Sequence, residues 1–255
     1  MDGLEALIGP VSAPALVVVA GAVLAAGFVR GFVGFGASLT IVMVLSVVFG
    51  PTIAVPVANL TGLPSTVQLL PTAVRHAERS FVVPFGLTTF VAAPFGTWVL
   101  VSLDPTLMKI AISLFVLAVV AMLSRGWRLS APPNTTMLVG SGTASGLLQG
   151  AAGVGGPPAV AIALSRPGTP ERQRANVIGA VTSLALCGLL PLWYHDLLTP
   201  GVVLLSIVLM PFYFGGSWLG ARFFSERGRD HFRPAALMIL AIIGMVTLGL
   251  ALHDL

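Results

Sequence analysis

Two glycine-rich stretches hold the residues with chemistry to offer, GFVRGFVGFGAS at 27–38 and GLLQGAAGVGGP at 146–157. With a shift of 119 residues, Gly27, Gly31, Gly34 and Gly36 fall on Gly146, Gly150, Gly153 and Gly155. Each stretch interrupts an apolar run of membrane-helix length, and glycine lets a backbone bend, unwind or approach a ligand closely. A helix that restarts after the break, near Ala37 and near Gly156, points free N–H groups and the positive end of its dipole into the bend. Such a terminus suits a small anion. Ser38 and Thr40 add hydroxyl donors at the first break, and Gly34, Gly36, Gly153, Gly155 and Gly156 leave peptide N–H groups open to approach. The same spacing has a second reading, because Gly27/Gly31 and Gly142/Gly146/Gly150 also make small-xxx-small packing faces. Packing alone does not explain the short helices that follow both breaks.

Around the breaks stand further candidates. Arg30 is the charged residue of the first motif and marks a substrate path if it lies at membrane depth; otherwise it snorkels to the interface. Its echo is Gln149, a neutral donor. Asn59 and Asn176 stand in otherwise apolar runs and either bind substrate oxygens or act as interhelical glue. Thr61, Ser65, Gln68 and Thr182 would make the same cavity polar. Trp98 and Trp218 echo each other beside Gly96 and Gly216 and either wall the cavity or anchor the helices at the membrane interface.

The elements that position these groups are membrane helices. Of 255 residues, 56% are hydrophobic and 9% charged, which places the chain in a bilayer as a single transmembrane domain over 1–255. Asp2 and Glu5 stand where a signal peptide needs basic residues, so the first apolar run is expected to remain as a helix. The net charge of +4 arises from arginines scattered between apolar segments, so it reads as loop charge and not as a nucleic-acid surface. Cys187 is the one cysteine, and no Cys/His cluster has metal-ligand spacing; neither a metal nor another cofactor is expected.

Ten helical segments are expected, at 13–31, 37–49, 53–73, 81–101 and 107–123 in the first half and 136–150, 156–165, 175–194, 200–221 and 234–252 in the second. Segments 37–49 and 156–165 are too short to span a hydrocarbon core of about 30 Å. They read as half-helices, with their breaks meeting near the midplane, where irregular backbone must be buried or line a cavity. Arginines 75 and 79, 125 and 128, 166, 172 and 174, and 222, 227, 229 and 233 mark four cytoplasmic connections and leave both termini outside. Counting crossings between these markers makes the halves inverted repeats of five segments each, about 13–123 and 136–252, joined by a cytoplasmic linker at 124–135. Ala58-Asn59 echoes Ala175-Asn176, and Gly96-Thr97-Trp98 echoes Gly216-Ser217-Trp218. The fold class is therefore an all-α integral membrane protein with a Gly-broken helix and a short half-helix in each repeat, the sequence pointer to a secondary transporter.

The breaks GFVRGFVGFGAS and GLLQGAAGVGGPPAV, the two-half organisation, the length and the Asn59/Asn176 pair resemble the TauE/SafE family of sulfite and organosulfonate exporters, from about residue 13 to 252. The family's short motif is a glycine-rich turn followed by a proline and a hydrophobic helix. The second half has it as GVGGPP at 153–158, whereas GFGAS at 34–38 lacks the proline. The resemblance implies export of a small oxyanion, sulfite or an organosulfonate, by alternating access across a bacterial cytoplasmic membrane. Import or permeation of another small organic anion such as a carboxylate, and an anion channel gated by the same breaks, stay open beside it. An enzyme is not expected, since no nucleophile with a histidine base and no paired aspartates lie at membrane depth. No acidic residue falls in the middle of an expected span, so the carboxylate relay common in proton pumps is missing. The expected partners are the lipid bilayer and a small anionic substrate; a homodimer and a coupling ion, sodium or a proton, are compatible with the sequence.

Overall fold

Proline and short polar caps set where the helices begin. The computed structural model describes residues 13–33, 36–124, 134–167 and 170–223, and these form nine helices with no strand among the described residues. They are α1 (Ala13–Val33), α2 (Ala37–Phe49), α3 (Pro51–His76), α4 (Arg79–Ser102), α5 (Pro105–Ser124), α6 (Thr135–Ala152), α7 (Gly156–Leu164), α8 (Pro170–Tyr194) and α9 (Pro200–Phe223). Four open on proline, whose fixed φ suits the first helical position and whose missing N–H is not needed there. Side-chain caps act at α6, where Asn134 Oδ1 accepts from the Met137 N–H at 2.8 Å, and at α5 in addition to its proline, where Asp104 Oδ1 accepts from the Thr106 N–H at 2.8 Å. The expected segments correspond to these helices within five residues at either end, except 234–252, which lies outside the described residues along with Gly34 and 125–133.

Among the described residues three helical stretches are long and apolar enough to cross a membrane: Arg79–Ser102, Ala175–Tyr194 and Pro200–Gly220. The 26-residue α3 is long enough, but Asn59, Thr61, Ser65, Thr66 and Gln68 dilute its apolar character. The short α2 and α7 have 13 and 9 residues.

The chain forms two compact units, each drawing helices from both halves of the sequence. The first holds α1, α2, α3 as far as Thr61, α5 and α9. Its main contact is α1 against α9. A Cβ at Gly27 would overlap the Tyr213 carbonyl, one at Gly31 the Ser217 carbonyl, and one at Gly216 the Leu24 carbonyl. Only glycine allows backbones this close, which is how membrane helices gain dispersion contacts. The matches 27 to 213 and 31 to 217 also show that α1 and α9 run parallel.

The second unit holds the rest of α3 with α4, α6, α7 and α8. Here α4 and α6 pack in parallel through Gly96, Gly142, Gly146 and Gly150. A core of Phe81, Phe85, Ala159, Ile162, Ala163, Ala180, Leu184 and Cys187 joins α4, α7 and α8. Buried hydroxyls in this unit mostly bond back along their own helix, as Thr89 Oγ1 does to the Gly86 carbonyl at 2.7 Å.

Candidate functional site

The first break is made by Gly36. Its φ of 94° and ψ of −11° are left-handed, a conformation in which an L side chain meets the following carbonyl. A Cβ there would lie 3.7 Å from Val29 Cγ1, so the chain doubles back and Gly36 sits level with the middle of α1's contact with α9. No side chain caps α2 at this end. Ser38 is half-buried in its first turn, and Thr40 is buried one residue beyond that turn. Arg30 is half-buried in the last turn of α1.

Within this unit several buried polar atoms have no hydrogen-bond partner among the described residues: Thr40 Oγ1, Ser46 Oγ, Asn59 Nδ2, Thr61 Oγ1 and Ser113 Oγ. Asn59 is 7% exposed. Orphaned buried donors are costly, about 1–3 kcal/mol each, and a set of them on α2, α3 and α5 marks an interior built to meet something else. All of them can donate a hydrogen bond, and an amide nitrogen can do nothing else. Their chemistry suits an acceptor-rich ligand.

The second break is built differently. Left-handed Gly153, with φ 66°, ends α6, and its N–H reaches the carbonyls of Gln149 and Leu148. The Val154 N–H goes to the Leu148 carbonyl at 3.3 Å, and the Gly155 N–H to Gln149 Oε1 at 3.2 Å. Gly155 has φ −65°, so it is glycine for closeness: a Cβ would overlap the Ser145 carbonyl. Gly156 opens α7 and is followed by Pro157 and Pro158, which carry no N–H. Ser141 Oγ donates to the Pro158 carbonyl at 3.1 Å, so α7 is fastened to α6. The N–H groups of Gly153, Val154 and Gly155 are thus spent on the protein itself, although no side chain caps α7 and Ser145 Oγ, on the residue against which Gly155 packs, is buried without a partner among the described residues. Because Gly146 and Gly150 face Thr89 and Ala93, this break lies level with the middle of α4.

Asn176 is fully buried in α8 and is engaged at the end of the unit, away from the break. Its Oδ1 accepts from the Glu78 N–H at 2.8 Å, and its Nδ2 donates to Glu78 Oε1 at 3.4 Å. Glu78 Oε2 accepts from Arg166 Nε at 3.0 Å and Nη2 at 2.7 Å, and the guanidinium lies 5.6 Å from the Phe81 ring centroid. Burial pushes the Glu78 carboxyl up, but the Arg166 hydrogen bonds and charge, the Asn176 amide and the Arg172 charge outweigh it, leaving the carboxyl below the usual range. Sequence reasoning missed this cluster by treating the arginines as orientation marks alone; the available signal was an acid at 78 between Arg75 and Arg79.

Trp98 and Trp218 are 61% and 59% exposed, and Arg222 lies over the Trp218 ring at 4.8 Å. That exposure fits interface anchors better than cavity walls. Of the residues singled out in the sequence, the structure thus gathers Arg30, Gly36, Ser38 and Asn59 in one unit and Gln149, Gly153, Gly155, Gly156 and Asn176 in the other. No group of residues with metal-ligand character occurs among the described residues.

Helices as the regular structure of the described residues, some of them long and apolar, with glycine-mediated crossings and two interruptions, give the chain the build of a multi-pass membrane transport protein. Residues 19–247 match the model of the family described as "Sulfite exporter TauE/SafE", and the chain belongs to that family, whose members are membrane transporters and not enzymes. Neither a curated protein nor a solved structure matches the chain.

Proposed function

We propose that the protein exports a small oxyanion of the sulfite or organosulfonate class by alternating access, and that the anion binds at the first break. The contrast in donors carries this placement. The first unit keeps Thr40 Oγ1, Asn59 Nδ2 and Thr61 Oγ1 unpartnered, where the second keeps Ser145 Oγ alone among its described residues, and α2 starts without a side-chain cap at left-handed Gly36. The second break spends its N–H groups on Gln149 and Leu148. Arg30, Gly36, Ser38 and Asn59 are therefore the binding set, with Thr40 and Thr61 added. Gln149, Gly153, Gly155 and Gly156 hold the second break in shape.

Inverted repeats over about 13–123 and 136–252 account for two like crossings. Gly216 faces the Leu24 carbonyl and Phe28 N–H as Gly96 faces those of Leu147 and Ala151. In the proposed topology the arginine-bearing connections lie in the cytoplasm and the termini outside. A site of neutral donors and one arginine needs no carboxylate relay, and an anion leaving a negative-inside cell gains about 2.3 kcal/mol per charge per 100 mV.

Proteoliposomes loaded with radiolabelled sulfite and given an outward-driving potential test the reading. Saturable efflux and counterflow are expected. Absence of flux for sulfite, taurine-like sulfonates and acetate alike would sink it, and flux that never saturates would point to a channel.

A further inference from the structure

The short helix α7 is tied at both ends. Its start is fastened through Gln149 to Gly155 and through Ser141 to Pro158. Two residues past its end, Arg166 grips the Glu78 carboxylate, while Asn176 takes the Glu78 N–H. Glu78 itself begins α4, since its carbonyl accepts from the Phe81 and Val82 N–H groups at 2.9 Å. One carboxylate thus pins the α3–α4 turn, the α7 exit and the start of α8 together.

The two fastenings differ in strength. The glycine contacts and apolar core behind α7 give way only at the cost of exposing buried surface. The ion pair is polar and its side chains are 20% and 19% exposed, so water replaces its hydrogen bonds when it parts, whereas nothing replaces the buried apolar contacts. A contact that water can replace, placed where an arginine-bearing connection meets the end of the short helix, opens without unfolding the unit.

We propose that Glu78 and Arg166, with Asn176 positioning the carboxylate, form a latch that closes this unit at its arginine-bearing end. Releasing it lets the end of α7 swing away from α4 and α8. The inference rests on the transport reading for its purpose, but its structural content needs no substrate. Glu78 is a positioning residue here, acting through α7.

The protein carries its own reporter. Cys187, its one cysteine, is 1% exposed and belongs to the core that α7 covers with Ala159, Ile162 and Ala163. The test is the labelling rate of Cys187 by a membrane-impermeant, positively charged thiosulfonate reagent applied to either face of oriented proteoliposomes without substrate. Glu78→Gln and Arg166→Gln are expected to raise the rate about tenfold from the arginine-bearing face only, the scale of a local opening made easier by one lost contact. The exchange Glu78→Arg with Arg166→Glu returns it toward the original rate. Glu78→Asp, which keeps the charge with a shorter reach, gives a smaller rise and serves where the other variants fold poorly. Unchanged labelling in the single variants, no recovery in the exchange, or equal acceleration from both faces would each overturn the latch. The last outcome would mean general loosening. A failure of sulfite flux with this labelling pattern intact would count against the substrate and not the latch.

Discussion

Gly27 and Gly150 occupy the same place in two separate helix crossings. Gly27 of α1 lies on the Tyr213 carbonyl and Ser217 N–H of α9, and Gly150 of α6 lies on the Ala93 carbonyl and Thr97 N–H of α4. A methyl group at either position has only backbone to displace, and forced overpacking costs about 1–3 kcal/mol. Gly27→Ala and Gly150→Ala are each expected to lower the thermal unfolding midpoint in detergent by several degrees. Gly21→Ala on the same α1, where a Cβ meets nothing within 4 Å, should leave it level or slightly higher. Equal midpoints for all three variants would refute the crossing geometry.

The two break glycines should respond differently to substitution. Gly36 has room for a side chain but a left-handed backbone, which asparagine tolerates better than other residues. Gly155 has an ordinary backbone but no room beside the Ser145 carbonyl. Gly36→Asn is thus expected to retain much of the folded yield, and Gly36→Val to lose most of it. At position 155 asparagine and valine should fail alike. Yield of monodisperse protein after purification reads the difference, and rescue of position 155 by asparagine would contradict it.

Asn59 and Asn176 echo each other in sequence yet should separate in function. Asn59 Nδ2 is unpartnered, so Asn59→Leu removes an unsatisfied donor and should leave stability level or raise it while weakening sulfite binding at least tenfold. Asn176→Leu loses the bond to the Glu78 N–H and leaves that donor short of a partner, so it should lower stability by about 1–3 kcal/mol with anion affinity kept. Equilibrium binding of radiolabelled sulfite, set beside unfolding midpoints, distinguishes them. The same pattern for both would mean that they share a role.

Helix existence was readable because apolar runs, prolines and arginine-bearing gaps are written locally. The starts at Ala37, Gly156 and Pro200 coincide with the expected segments. Partner choice was not, because it depends on which backbones approach. Spacing alone aligned Gly27 with Gly146, whereas packing aligns it with Gly150, one turn further on. The first arm therefore carries an added turn before its break, and Arg30 belongs to that turn. Gln149 is then not its counterpart. Its role as a tie for Gly155 depends on a fold-back that the sequence does not display. The Glu78 latch stayed hidden for a similar reason, since Arg166 and Asn176 lie 88 and 98 residues away from Glu78.

The pH response of the latch follows from the direction of the Glu78 shift. Its carboxyl in the folded protein is held below the ordinary carboxylate range, chiefly through Arg166 acting against burial. A depressed carboxyl contributes stability that is present in full above its unfolded value, about 4.3 for glutamate, and is lost as pH falls through the folded value. The Cys187 labelling rate divided by that of Glu78→Gln at the same pH, a ratio that cancels the pH dependence of thiolate formation, should therefore stay flat between about pH 8 and 5 and rise only in more acid solution. Glu78→Gln alone should follow thiolate formation and show no such step. A step near neutrality in the unmodified protein would assign control to another group.

Arg30 is the most direct test of where the anion sits. Because Gly31 lies on Ser217 and α1 runs parallel to α9, Arg30 is level with Ser217, five residues short of Arg222. At about 1.5 Å per residue that places its Cα about 8 Å deeper than the Arg222 end of the helix. Arg75, by contrast, is exposed in the last turn of α3. A half-buried guanidinium at that depth strengthens its interaction with an anion through the lower local dielectric, whereas an exposed one is screened by salt. Arg30→Ala is expected to weaken sulfite binding at least tenfold, with Arg30→Lys restoring part of the loss, and Arg75→Ala to change it less than twofold. Raising salt from about 0.05 to 0.5 M should erode the Arg75 effect first, since the Debye length falls over that range. Equal losses for the two alanine variants would move Arg30 to the surface and the anion away from the first break.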